Sequence, residues 1–190
     1  MRKLFGWLMK PAQVAVIYLL AGGLAVGAAS VVIFDFSMAA TNTEEFCTSC
    51  HSMASGPFVM VQDTTHFSNR SGVRPDCSAC HVPQAFIPKL WRKIQASREV
   101  WGAITGIIDT PEKYQAHVQT MKDREIARMR ANDSQECRNC HAVEHMLMAE
   151  QTQKAQEFHT AAELEAKTCI DCHQGLAHDT DQAESMGEDG

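Results

Sequence analysis

Eight cysteines occur in 190 residues, and all of them fall into one pattern repeated four times: Cys47-Thr-Ser-Cys50-His51, Cys77-Ser-Ala-Cys80-His81, Cys137-Arg-Asn-Cys140-His141 and Cys169-Ile-Asp-Cys172-His173. Two thiols three positions apart on one turn of chain reach the two vinyl groups of a porphyrin and form thioethers. The histidine that follows then offers an axial nitrogen to the iron. A zinc site built from paired C-x-x-C units needs no histidine after each second cysteine. A disulfide framework has no reason to repeat one spacing four times. The pattern implies four covalently bound haem c groups.

A low-spin, electron-transferring haem takes two strong axial ligands, commonly His/His or His/Met. Five histidines lie outside the motifs, His66, His117, His145, His159 and His178, and Met53 stands two residues after His51. These are the candidates for the far side of each iron.

The elements that must hold these residues are short. Four porphyrins would serve as the core, so the polypeptide can be a thin wrapping of loops and small helices. The motifs come in two pairs with similar separations. Each pair encloses a histidine beside a phenylalanine, His66-Phe67 in the first and Phe158-His159 in the second, the layout of a duplicated dihaem unit. Between the pairs, 88–108 reads as a helix with Leu90, Ile94, Trp101, Ile104 and Ile108 in a rough apolar stripe. Lys89, Trp91, Arg92, Lys93 and Arg98 give it a basic, indole-rich character suited to a membrane surface, although an amphipathic helix on a soluble core would show the same pattern. Asp109-Thr110-Pro111 reads as a helix restart with Asp or Thr as cap and Pro in the first turn, and 112–130 continues as a polar, charged helix.

The run 11–34 is uncharged and rich in Val, Ala, Leu, Ile and Gly, long enough to span a bilayer as a helix. Cleaved signal peptides carry an apolar region about half that length. Met38-Ala39-Ala40 approaches a cleavage site, but an uncleaved anchor fits the length better. Arg2, Lys3 and Lys10 precede the run, so the N-terminus is expected in the cytoplasm and the haem motifs in the periplasm of a single-pass inner-membrane protein. Gly22, Gly23 and Gly27 permit close packing of a second helix, compatible with a homodimer or a hetero-complex.

The expected fold class is mostly α with much irregular structure: one N-terminal transmembrane helix plus a multihaem domain of two dihaem units. The expected segments are a cytoplasmic basic tail at 1–10, an anchor at 11–36 and a first dihaem unit with a membrane-proximal helix at 37–110. A second dihaem unit at 111–180 and an acidic flexible tail at 181–190 follow. Once Arg2, Lys3 and Lys10 are set aside, 14 basic residues face 23 acidic ones. That balance argues against nucleic acid as a partner.

Five stretches carry a resemblance: Phe46 to Met53, Asn69 to Pro83, Arg92 to Gly102, Ala131 to His141 and Lys167 to His178. They resemble the NapC/NirT family of membrane-bound tetrahaem cytochromes. The resemblance implies that His66 ligates the fourth haem, His178 the second and His159 the third, opposite the motif histidines His173, His81 and His141. For the first haem it implies Met53, with His51 not required on the iron; His117 is the remaining alternative. It also implies a quinol-oxidising site beside the first haem, with Lys93 bonding a quinol oxygen and Glu99, in a partly apolar setting, accepting a proton. Helix geometry adds a competitor, because Arg92 and Glu99, seven apart, share a face.

The function implied is a quinol dehydrogenase that takes electrons from the menaquinol or ubiquinol pool in the lipid bilayer and passes them to a periplasmic terminal reductase. Nitrate reductase is favoured by the Arg92 to Gly102 stretch and the His159 spacing. Nitrite or trimethylamine oxide reductases remain alternatives, as does a tethered electron carrier with no quinol site of its own. A small-ligand haem enzyme or sensor would need catalytic side chains near an open iron, and Glu99 is the one candidate.

Overall fold

A computed structural model describes residues 15–178. The basic residues Arg2, Lys3 and Lys10 and the expected acidic tail at 181–190 lie outside the described residues. The chain divides into two compact units between Thr41 and Asn42. Among the described residues every regular element is helical, so the expected mostly-α class holds.

The first unit contains helix α1, Val16–Ala40, 25 residues with no charge before Asp35 and no buried residue. At 1.5 Å per residue it is about 38 Å long, more than the roughly 30 Å hydrocarbon core of a bilayer. It is long and apolar enough to cross a membrane. The helix continues five residues past Asp35, where the apolar run ends. Ser30, Ser37 and Thr41 return their hydroxyls to the carbonyls of Val26, Ile33 and Ser37 at 2.7–2.8 Å, and so satisfy themselves within the helix.

The second unit runs from Asn42 onward, so residues 37–41, expected with the first dihaem half, fall in the first unit. Its helices are α2 (Glu44–Thr48), α3 (His51–Ser55), α4 (Pro57–Gln62), α5 (Cys77–His81), α6 (Phe86–Ile104), α7 (Pro111–Ala131), α8 (Gln135–Arg138), α9 (Gln153–Phe158), α10 (Ala161–Ala166) and α11 (Cys169–Cys172). Two 3-10 turns, Val143–His145 and Met148–Glu150, precede α9. Among the described residues Ser134 is the one fully buried side chain, and Glu136 at 4% and Ser52 at 5% follow it. Large apolar side chains stay at least partly open. The polypeptide supplies no apolar core of its own, as expected of a wrapping around prosthetic groups.

Helix α6 starts two residues earlier and stops four residues sooner than its sequence pattern suggests. Gly106 adopts φ +76°, a left-handed turn that a side chain would strain. The Ile107 amide then reaches back to the Gly102 carbonyl at 2.8 Å and ends the helix. Helix α7 begins as its sequence suggests: Thr110 is the cap, its hydroxyl accepting from the Lys113 amide at 3.4 Å, with Pro111 in the first turn. Asp109 instead takes the Lys113 ammonium at 2.8 Å.

The two long helices divide the labour. The apolar side of α6 is open, with Ile87, Trp91, Trp101 and Ile104 exposed by 60–72%. Of its charged residues Lys89, Arg92, Lys93 and Glu99 are only partly exposed, whereas Arg98 is exposed. Helix α7, which reads in sequence as a polar, charged helix, is the strut of the unit. Tyr114 lies against Gly56, where α3 meets α4. Glu125 reaches His81 in α5, and Arg124 faces Glu99 in α6. Arg128 reaches Glu136 in α8, and Arg130 reaches Asp171 in α11.

Candidate functional site

The second and fourth Cys-x-x-Cys-His segments each lie on one helical turn, which brings thiols three apart onto one face; the third runs just past such a turn, and the first bridges two. The turns are held by local caps. Thr43 accepts from the Phe46 amide at 3.2 Å ahead of the first motif, and Asp76 accepts from the Ala79 amide at 2.8 Å ahead of the second. A capping box joins Thr168 and Asp171 at the fourth. The third is built differently. Asp133 and Ser134 both have positive φ, 55° and 49°, a costly conformation for residues with side chains. The strain aims the buried Ser134 hydroxyl out of its own helix to accept from the Ile170 amide at 3.2 Å, between Cys169 and Cys172. Motifs three and four are thereby pinned together.

The motifs are neighbours in chain order. Helix α2 packs on α5, and α5 packs on α8. Cys47 and Cys77 are close enough to shift one another's ionisation, and Cys80 lies in the field of Cys137 and Cys140. Cys137 in turn lies in the field of Cys169. Burial pushes the Cys80 thiol up to about 11. No cysteine is spent on a disulfide.

Histidines meet in pairs. His81 faces His178 with ring centroids 6.0 Å apart, His66 faces His141 at 6.2 Å and His159 faces His173 at 5.8 Å. An imidazole nitrogen sits about 2.0 Å from a first-row metal ion, which puts two rings on opposite sides of one ion about 6 Å apart between centroids. All three pairs match. Their interplanar angles are 30°, 84° and 44°. Among the described residues no group of three or more His, Cys, Asp or Glu converges as a bare ion would need. The donor set fits an iron already held by a porphyrin. Burial pushes His178 down to about 4, so the ring is neutral and its nitrogen is available to a metal. The Pro57 carbonyl faces that ring without closing a hydrogen bond to Nδ1.

The placement of His178 opposite the second motif is the one the resemblance implies. The other two are exchanged: His66 faces the third motif and His159 the fourth. Two pairs still cross between the halves. His159 thus faces the motif nearest to it in the chain, and Gln151 holds its Nδ1 at 2.7 Å.

The first motif stands apart. Its helical turn breaks at Cys50, which is extended, so His51 opens a new helix instead of closing the old one. His51 is exposed and has no facing histidine among the described residues; Met53 follows in the same helix, 39% exposed. His117 Nδ1 donates to the Lys113 carbonyl at 2.8 Å, on a helix that packs against α3. Lys93 lies in the field of Cys47, and burial lowers its ammonium from the ordinary value. Glu99 meets two guanidinium groups, Arg92 at 3.9 Å and Arg124 at 3.7 Å, rather than an apolar setting. Its Oε2 is buried and accepts no hydrogen bond.

Glu125, Arg128 and Glu136 form the part of the site that sequence reasoning missed. His81 Nδ1 lies 2.8 Å from the Glu125 carboxylate. Arg128 grips that carboxylate at 2.8 and 3.1 Å, the Cys80 carbonyl at 3.3 Å and the buried Glu136 at 2.7 Å. These contacts hold the Glu125 carboxyl well below the usual carboxylate range against the opposing effect of its burial. The three-residue spacing of Glu125 and Arg128 was the available signal, since such residues share a helix face.

Four segments with paired thiols, three facing imidazole pairs and a fourth distinct motif define a tetrahaem c-type cytochrome, an electron-transfer protein with a membrane-anchor helix. The chain matches the profile of the NapC/NirT cytochrome c family, N-terminal region, over residues 9–183 and belongs to that family. It is 45% identical over 177 residues to the cytochrome c-type protein NapC of Escherichia coli K12, covering 93% of this chain and 88% of that one. It is 47% identical over 165 residues to the denitrification system component NirT of Stutzerimonas stutzeri, covering 85% and 82%. Among solved structures it is similar to a chain of the cytochrome c nitrite reductase NrfHA complex bound to the HQNO inhibitor. That likeness has a TM-score of 0.45 and 25% identity, over 83% of this chain and 88% of that one.

Proposed function

We propose that this protein is a membrane quinol dehydrogenase that passes electrons through four haems to a periplasmic terminal reductase. The observation that carries the reading is the position of the first motif. Lys93, whose charge acts on Cys47 of that motif, lies on α6, the helix that leaves Ile87, Trp91, Trp101 and Ile104 exposed. A lipid-dissolved quinol would meet a haem-bearing motif along such a helix. From there the motifs run in order to the fourth.

Covalently bound haem c supplies irons that take one electron at a time. His81 with His178, His141 with His66, and His173 with His159 would hold three of them, and Met53 the first. Quinol gives up two electrons and two protons. Lys93 would hydrogen-bond one quinol oxygen and orient it. Glu99, with one acceptor oxygen free, would take a proton, while Arg92 and Arg124 keep the carboxylate in place. The second proton leaves to water. Menaquinol and ubiquinol both fit this chemistry. Nitrate reductase is the favoured acceptor, supported by the Arg92 to Gly102 stretch, the His159 spacing and the similarity to NapC proteins. With the anchor crossing the inner membrane, the N-terminus is placed in the cytoplasm and the haem unit in the periplasm.

Anaerobic stopped-flow reduction of the detergent-solubilised protein by menaquinol and ubiquinol analogues tests this. Loss of a positioned proton acceptor costs about 10²-fold or more, so Glu99→Gln is expected to slow reduction by that factor with all four haems present. Lys93→Met is expected to weaken quinol binding. Unchanged rates in Glu99→Gln would retire Glu99. A wild-type protein that no quinol reduces would leave a tethered carrier fed by a separate quinol oxidase.

A further inference from the structure

The paired histidines differ in what holds their outer nitrogens. His66 Nδ1 and His178 Nδ1 are buried with no hydrogen-bond partner, and His159 Nδ1 has the neutral amide oxygen of Gln151 at 2.7 Å. His81 Nδ1 alone among these faces an anion, Glu125 Oε1 at 2.8 Å. We propose that Glu125 is a positioning residue for the second haem, fixing the His81 ring and lowering the reduction potential of the iron it ligates. The inference deepens the proposed function and rests on the reading of His81 as an axial ligand.

A carboxylate only accepts, so His81 Nδ1 must carry the proton and leave Nε2 as the metal-binding nitrogen. An anionic acceptor pushes electron density into the ring and makes it a stronger donor, which favours ferric over ferrous iron. The carboxylate cannot swing away. Arg128 holds both its oxygens, and Arg92 approaches Oε2 at 3.5 Å while donating to the His81 carbonyl at 3.2 Å. The two guanidinium groups oppose the effect by drawing charge from Glu125. Neither is committed to it, because Arg128 also serves Glu136 at 2.7 Å and Arg92 also faces Glu99 at 3.9 Å. With both arginines shared, Glu125 keeps anionic character for His81. Ring and backbone of the ligand are thus gripped by one network, and the second haem becomes a low-potential step directly after the first.

Losing an outer-shell partner of a metal-bound histidine typically changes metal affinity 10- to 100-fold. A tenfold change in a one-electron equilibrium is 59 mV, so Glu125→Gln should raise one haem potential by about 60–120 mV. The measurement is a spectroelectrochemical titration of the full-length protein with chemical mediators, paired with electron paramagnetic resonance of the low-spin signals. Because no quinol takes part, failure of the quinol reading would leave this result untouched. One haem should shift upward in Glu125→Gln and move partway back in Glu125→Asp, with the signal of the same haem altered. Asp123→Asn, which removes an exposed charge from the same helix without contact to His81, should leave all four potentials in place. Unchanged potentials in Glu125→Gln would overturn the proposal. So would an equal shift in Asp123→Asn, which would mean a general charge effect. Loss of the haem from Cys77 and Cys80 in both Glu125 variants, read by mass spectrometry, would assign the residue to folding alone and overturn the tuning role.

Discussion

At the scale of single residues, the histidine pairs are the sharpest feature. Removing one member of a bis-imidazole pair leaves the iron with a weak or open sixth position, so His66→Ala, His159→Ala and His178→Ala should each convert one low-spin haem to high spin. The visible and electron paramagnetic resonance spectra read this directly, with one haem changing per variant and all four still attached. The exchange of His66 and His159 relative to the family resemblance shows the reach of spacing. Spacing names the candidate histidines and the resemblance chooses among them, whereas the pairing depends on which rings the fold brings face to face.

At the scale of elements, α7 organises the unit by ion pairs rather than by an apolar face. Arg128 is mostly enclosed and holds two carboxylates, one of them almost fully buried. Breaking such a pair strands buried charge and typically costs about 3–5 kcal/mol. Arg128→Met should therefore lower the thermal midpoint sharply or prevent folding. The cap is a smaller matter: Thr110→Ala should cost about 1 kcal/mol, measurable as a modest drop in the same melting experiment. The cap and its proline were legible in the sequence because both act locally. The strut was not, because its charges read equally well as a solvated face until the partners on α5, α6, α8 and α11 are in place.

At the scale of the whole molecule, a membrane-anchor helix is joined to a separate haem unit whose helix α6 leaves apolar side chains exposed. If the open side of α6 meets lipid, a form lacking residues 1–41 and exported behind a cleavable leader should still co-sediment with phospholipid vesicles. The triple change Ile87→Ser, Trp91→Ser and Trp101→Ser should abolish that co-sedimentation and leave the haem spectrum intact. Vesicle binding that survives the triple change would mean that α6 is not the contact.

Covalent haem attachment, the membrane helix and the mostly helical class follow from the sequence alone, because each depends on residues a few positions apart. Thiols at i and i+3, an uncharged run and a Thr-Pro start are local facts of chemistry and helical geometry. Tertiary structure decided which histidine faces which motif and the chain-order contact of the four motifs. It also decided the outward turn of the apolar side of α6 and the Glu125 bond to His81. Those are meetings between residues far apart in the chain. In a protein whose core is prosthetic, no hydrophobic pattern records them.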